Sequence, residues 1–288
     1  TTPDMAYKYI KSSRRKSSRK SLSSLILTFV LLGCFWVANT LTCCNNPEPE
    51  MQQVPGEYGN LMKVVTNPDV PSQLKSYTGM DVSFNADCHI PNWVSWELTE
   101  EKTNGTVPRG DEFFVDPEIK GCAYDYDYRG SGYDRGHMAP AGDMKWSQKA
   151  MDECFSFANM CPQLHSLNNG SWKSLEEKCR TWAQIDGKIY IVCGPIMDET
   201  PLEYIGDSKV WVPRRFFKVI IAPYSTPARG IGFIMPNGTV VGGMQNCAVS
   251  IDEVEKLTGH DFFSTLPDDV EEQIESQCNF HQWSTLKK

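Results

Sequence analysis

Apolar positions along the chain follow two rhythms. Residues 93–98 (Trp93-Val94-Ser95-Trp96-Glu97-Leu98) alternate with the period of a strand. Three denser runs also predict strands. Residues 188–193 end at Gly194-Pro195, and residues 230–235 stop at Pro236-Asn237-Gly238, both turn signals. Between them, 216–221 is a nearly unbroken apolar block, as expected of a buried strand. Helical spacing appears at about 148–157, 170–185 and 251–257. A further helix is predicted after Pro267, where Asp268, Asp269, Glu271 and Glu272 would face the positive helix end. Proline cannot continue a helix, so Phe157 to Gln163, with Pro162 inside it, is predicted to be a turn. Strands interleaved with helices predict a mixed α/β or α+β domain.

The first 44 residues are of another kind. A basic run from Lys11 to Lys20 leads into an uncharged stretch, 22–44, with an apolar block from Leu25 to Leu32. A positive segment followed by an apolar one is the pattern of an export signal, and the stretch is also long enough to anchor in a bilayer. Cys34 and Cys43-Cys44 end two sequences that loosely match a lipoprotein box. The expectation is an exported protein (periplasmic, anchored in the cell envelope or secreted), because flanking positive charge stays on the cytoplasmic side. The chain then divides into a signal peptide or anchor at 1–44, a polar linker at 45–56, a single domain at 57–280 and a tail at 281–288. Eight of the eleven cysteines lie in the domain, an even number that permits up to four disulfides in an exported protein. No C-x-x-C pair occurs, and Cys161 with His165 lacks a second ligand pair, so a zinc site has no support.

Charge runs against one class of function. Residues 1–44 take seven of the 28 basic groups and one of the 36 acidic groups, which leaves residues 45–288 with a net charge of -14. Nucleic-acid binders lean basic. A local cationic cleft and a bound cation matter more at a site than this sum.

The chemistry is concentrated in Asp134-Arg135-Gly136-His137, followed by Met138-Ala139-Pro140. Histidine accepts a proton near neutral pH, and arginine grips phosphate with a planar fork of donors. Downstream, Trp172, Leu175, Cys179 and Trp182 fall in one helical stripe roughly 90° wide, while Glu176 and Arg180 neighbour each other along its edge. Asn168 lies two turns before Glu176. Taken alone, Glu176 with Arg180 is an ordinary i, i+4 ion pair, Asn168 or Asn169 a helix cap, and Asn159 or Gln163 a loop-satisfying amide.

Together, Asp134-Arg135-Gly136-His137, Asn159 with Pro162-Gln163, Leu167-Asn168-Asn169-Gly170-Ser171-Trp172, and Glu176 with Arg180 resemble the DNA/RNA non-specific endonucleases. The likeness covers roughly residues 54–278 and continues through Phe216-Phe217-Lys218-Val219 and Gly259-His260-Asp261. It implies an α+β fold with a central, mostly antiparallel sheet, flanking helices and a ββα-metal motif. It also implies His137 as general base and Asn168 as the direct ligand of a divalent metal, Mg²⁺ or alternatively Mn²⁺. Glu176 would orient metal-bound waters, Arg135 and Arg180 would bind and steady the phosphate, and Asn159 would support the site. The substrates implied are DNA and RNA, with little sequence preference because phosphate contacts carry none. Two other readings stay open at this point: a protein that binds nucleic acid without cutting it, and a phosphodiesterase for a smaller substrate. Membrane association through the N-terminus and a homodimer are also left open.

Overall fold

The computed structural model describes residues 58–284; the expected signal, anchor and linker at 1–56 lie outside the described residues. Among the described residues no helix is long and apolar enough to cross a membrane.

In chain order the strands are β1 (Gln73–Ser76), β2 (Asp81–Asn85), β3 (Ile90–Thr99), β4 (Asp134–His137), β5 (Met160–Gln163), β6 (Lys188–Ile196), β7 (Tyr204–Ile205), β8 (Val210–Trp211), β9 (Arg215–Ala222), β10 (Arg229–Pro236) and β11 (Ala248–Val249). Seven form an antiparallel sheet in the order β1-β2-β3-β6-β9-β10-β11. β4 pairs with β5, and β7 with β8, as separate two-stranded ribbons. The helices are α1 (Glu100–Thr103), α2 (Asp125–Tyr128), α3 (Gln148–Glu153), α4 (Lys173–Asp186), α5 (Ile251–Thr258), α6 (Asp268–Glu275) and α7 (Phe280–Ser284). This is the α+β class expected, with a mostly antiparallel central sheet.

Both faces of the sheet are covered. Trp96, Ile191, Phe216, Ile220 and Phe233 pack with Trp172, Leu175, Cys179 and Trp182, the stripe of α4. On the opposite face, Trp93, Val192, Phe217, Val219 and Ile221 pack with Ile251, Val254 and Ile274 of α5 and α6. Successive side chains of a strand point to opposite faces, so a strand covered on both sides must be apolar throughout. That explains the dense run at 216–221. Its one break is Lys218, which is fully buried in the middle of β9.

Three local expectations are corrected. The stretch predicted as a turn at Phe157–Gln163 is a short 3₁₀ turn, Phe157–Asn159, followed by strand β5. Pro162 is tolerated because β5 belongs to a two-stranded ribbon, where one edge needs no donors. The helix predicted from Gly170 instead starts at Lys173, after a wide turn over Leu167–Trp172 that breaks at Gly170 (φ -108, ψ -117). The third concerns the cysteines: all eight of the domain are free thiols, so the disulfides expected for an exported domain do not form. Five of them, Cys122, Cys154, Cys161, Cys179 and Cys193, are buried and act as small core residues. Trp283, in the stretch expected as a tail, is buried against Trp182 with ring centroids 5.0 Å apart.

Candidate active site

β4 consists of the four residues Asp134–His137, held antiparallel to β5 with Asp134 opposite Gln163 and His137 opposite Met160. Gly136 lacks a side chain for a specific reason: a Cβ there would collide with the amide of Gln163, which lies across it. Gln163 is itself fully buried, with neither amide atom hydrogen-bonded.

His137 ends the strand at 8% exposure. Its ring meets Phe155 edge-on at 4.8 Å and Phe113 at 5.8 Å, and its Nε2 is buried without a hydrogen-bond partner. Burial, with the fields of Arg109 and Arg135, lowers its pKa to about 3. The imidazole is therefore neutral at physiological pH, the state in which it can accept a proton. The chain beyond it is clamped by Asn159. The Asn159 Oδ1 accepts from Ala139 N at 2.9 Å, and its Nδ2 donates to Ala139 O at 2.9 Å and to Cys154 O at 2.8 Å. Both amide hydrogens are thus spent on the backbone, which makes Asn159 a support for the His137 segment rather than a contact for phosphate.

Asp134, at the other end of β4, accepts hydrogen bonds from Asn168 Nδ2 at 2.9 Å and engages His165 Nδ1 at 2.8 Å. The wide turn before α4 brings Asn168 to this position. With Nδ2 committed, Asn168 Oδ1 is the amide atom left to bind a cation. A hard divalent ion takes such oxygens, so the chemistry of the Asn168 amide suits the implied metal.

Glu176 and Arg180 do not pair with each other, as an ordinary i, i+4 ion pair would. Arg180 Nη1 instead donates to Asp143 Oδ1 at 2.8 Å, through space that a side chain at Gly142 would fill. Asp143 is fully buried and also accepts from Trp96 Nε1 at 3.0 Å. Burial raises the Glu176 pKa to about 7; Asp143 pushes the same way, while Lys218, Arg180 and Arg109 oppose it. Lys218 Nζ lies 4.4 Å from the Trp172 ring centre and 4.9 Å from that of Trp96. Burial alone would depress the Lys218 pKa, but Cys193, Glu176, Cys179 and Asp143 outweigh it and raise it, so the lysine is charged.

A cleft of about 600 Å³ opens beside β4, with Arg109, Arg129 and Arg135 on its walls. Arg135 stacks on Phe113 at 4.2 Å and pairs with Asp125, which Arg129 also engages at 2.7 Å. This is the local cationic surface that the acidic net charge hides. The structure thus sets His137, Arg109 and Glu176 in one electrostatic neighbourhood, Arg135 on the cleft wall, and Asn168 with Asp134. Sequence reasoning missed Arg109, Asp143 and Lys218. Arg109 and Asp143 lie in segments without periodicity; Lys218 was visible as one charge inside an apolar strand.

Residues 57–269 match the family described as DNA/RNA non-specific endonuclease. The mitochondrial nuclease EXOG of Mus musculus is 30% identical, with 93% of this chain and 78% of that protein aligned. Its Homo sapiens counterpart is 34% identical over 68% of this chain, which spans 58% of that protein's length. Among solved structures, the EndoG/EndoGI complex, described as showing the mechanism of EndoG inhibition, aligns with a TM-score of 0.64 and 29% identity. That alignment covers 68% of this chain and 89% of the other. The relatives' mitochondrial designation overturns the expectation of an exported, periplasmic or envelope-anchored protein. The cause of the error is physical: a Ser-rich, Arg- and Lys-rich, acid-poor segment precedes the apolar block, a composition that export signals share with mitochondrial transit peptides.

Proposed function

The chain belongs to the DNA/RNA non-specific endonuclease family and is a nuclease, and we propose that it cleaves DNA and RNA phosphodiesters in mitochondria with His137 as general base and Asn168 as the protein ligand of Mg²⁺. The observation that carries this reading is the buried, unpartnered Nε2 of a neutral His137, on the same four-residue strand as the aspartate that fixes Asn168. A buried polar atom without a partner costs free energy and calls for an explanation, and an acceptor reserved for a substrate-bound water supplies one.

The roles follow from the surroundings. Phosphate enters the cleft and is held by Arg135, whose planar fork matches its oxygens. Its negative charge offsets the fields of Arg109 and Arg135, which raises the basicity of His137 towards the working range. His137 Nε2 then takes the proton of the attacking water. Arg180, held by Asp143, offers positive charge where the transition state gains negative charge. Glu176 aligns water at the Asn168 side when ionised. Mg²⁺, when bound, supplies Lewis-acid polarisation of the phosphate. Binding by phosphate contacts gives little sequence preference.

The test is incubation of the full chain with plasmid DNA and with RNA, in Mg²⁺ and in chelator, beside Asn168→Ala. Cleavage of both polymers in Mg²⁺, lost in chelator and strongly reduced in the variant, is expected. Undiminished cleavage in chelator or by Asn168→Ala overturns the assignment.

A further inference from the structure

Helices α5 and α6 meet over β10, on the face of the sheet opposite α4. They close on Gly230: a Cβ there would lie 2.9 Å from Ile251 Cδ1 of α5 and 2.6 Å from the Ile274 carbonyl of α6. The residues that follow these two in sequence are Asp252 and Glu275. Glu255, three residues beyond Asp252 on the same side of α5, joins them. Ligand oxygens of the three carboxylates all lie within 4.8 Å of one another. Glu275, whose carboxylate contributes one of these oxygens, is 2% exposed, and its Oε1 is buried without a hydrogen-bond partner. Asp261 and Glu271 add negative charge at the same place. Among the described residues, no lysine or arginine forms an ion pair with any of these five acids.

Burying like charges together is costly unless something neutralises them. The α5 side is prearranged: a Ser250–Glu253 capping box fixes the start of the helix, and Glu255 Oε1 accepts from Phe262 N at 2.7 Å near its end. We propose that Asp252, Glu255 and Glu275 form a second cation site, distinct from the nuclease cleft, which takes a hard divalent cation of the Ca²⁺ type and fastens α6 to α5. The spread of the oxygens fits a shell of radius about 2.3–2.6 Å, in which ligands on opposite sides lie about 5 Å apart. Carboxylates alone select a hard ion over zinc or copper. Asp252 is exposed, so water reaches the ion to complete its shell.

The experiment uses the full chain carrying Asn168→Ala, which removes the ligand proposed for the nuclease metal; the two sites therefore stand or fall separately. Calcium titration by calorimetry is expected to show one Ca²⁺ per chain, and thermal unfolding an upward shift in Tm. Adding Asp252→Asn, at an exposed position that does not endanger folding, is expected to weaken Ca²⁺ binding at least tenfold. Adding Glu275→Gln is expected to abolish Ca²⁺ binding. Absence of Ca²⁺ binding in Asn168→Ala, or binding unchanged by both Asp252→Asn and Glu275→Gln, overturns the proposal.

Discussion

Asn168 donates its Nδ2 to Asp134 Oδ2 at 2.9 Å, which binds the first residue of β4 to the residue assigned to the metal. The family resemblance assigns Asp134 no role in the chemistry. In the fold it orients the amide that Asn168 presents and holds His165 as well. Loss of such an outer partner typically costs about 10–100-fold in metal affinity or activity. Asp134→Ala is accordingly expected to shift the Mg²⁺ concentration for half-maximal cleavage upward by roughly that factor, with the fold intact. An unchanged Mg²⁺ requirement would show that the bond orients nothing.

Lys218 is the buried charge nearest to explaining how Glu176 ionises at all. It lowers the Glu176 pKa against the effect of burial. Lys218→Met keeps the length of the side chain between Trp96 and Trp172 but removes the charge. The Glu176 pKa then rises, so cleavage near neutral pH falls about tenfold for each pKa unit and recovers as pH is raised. The check is kcat/KM against pH. A uniformly scaled profile, with no alkaline shift, would mean that the lysine only fills space.

Arg135 lies half-exposed on the cleft wall, stacked on Phe113. A phosphate contact adds roughly one released counterion to binding. In an uncleaving His137→Ala background, Arg135→Ala is expected to weaken DNA binding equally across sequences. It is also expected to reduce the slope of log affinity against log salt by about one. The slope is read from binding isotherms at several salt concentrations, and a slope that does not change removes Arg135 from the phosphate path.

Much of this was legible in the residues. The strand at 93–98 could be read from its alternation, three others from dense apolar runs closed by turn signals or buried on both faces, and the α4 stripe from its helical period. The candidate site residues His137, Asn168 and Glu176 stood out as spaced polar groups. Their partners did not. Asp143 holds Arg180 from 37 positions away, and Arg109 acts on His137 from an irregular segment, contacts that no local pattern encodes. Phe157–Gln163 was misjudged because Pro162 suggested a turn, whereas pairing with β4 decided the matter. The expectation of export failed because a basic run followed by an apolar block fixes a destination only loosely.

Acid stability gives a test outside the cleft. His137 and His260 have folded pKa values lowered to about 3 and about 4, both chiefly by burial. A histidine depressed in the folded state contributes stability that is present above its ordinary value of 6.5. That contribution is lost as pH falls towards the folded value, because the unfolded chain takes up the proton first. Each should add a slope of up to about 1.4 kcal/mol per pH unit between those limits. Urea unfolding of metal-free protein at stepped pH is expected to show the decline, and His260→Gln should flatten it. An identical slope in that variant would mean that His260 titrates normally.

The central claim is that His137 takes the proton of the attacking water. Its most direct test is the single-turnover rate of plasmid cleavage by His137→Ala against wild type at saturating Mg²⁺, with DNA binding measured alongside. The account predicts a rate lower by about 10²–10⁴-fold with binding retained. Cleavage at the wild-type rate by the folded variant would contradict it.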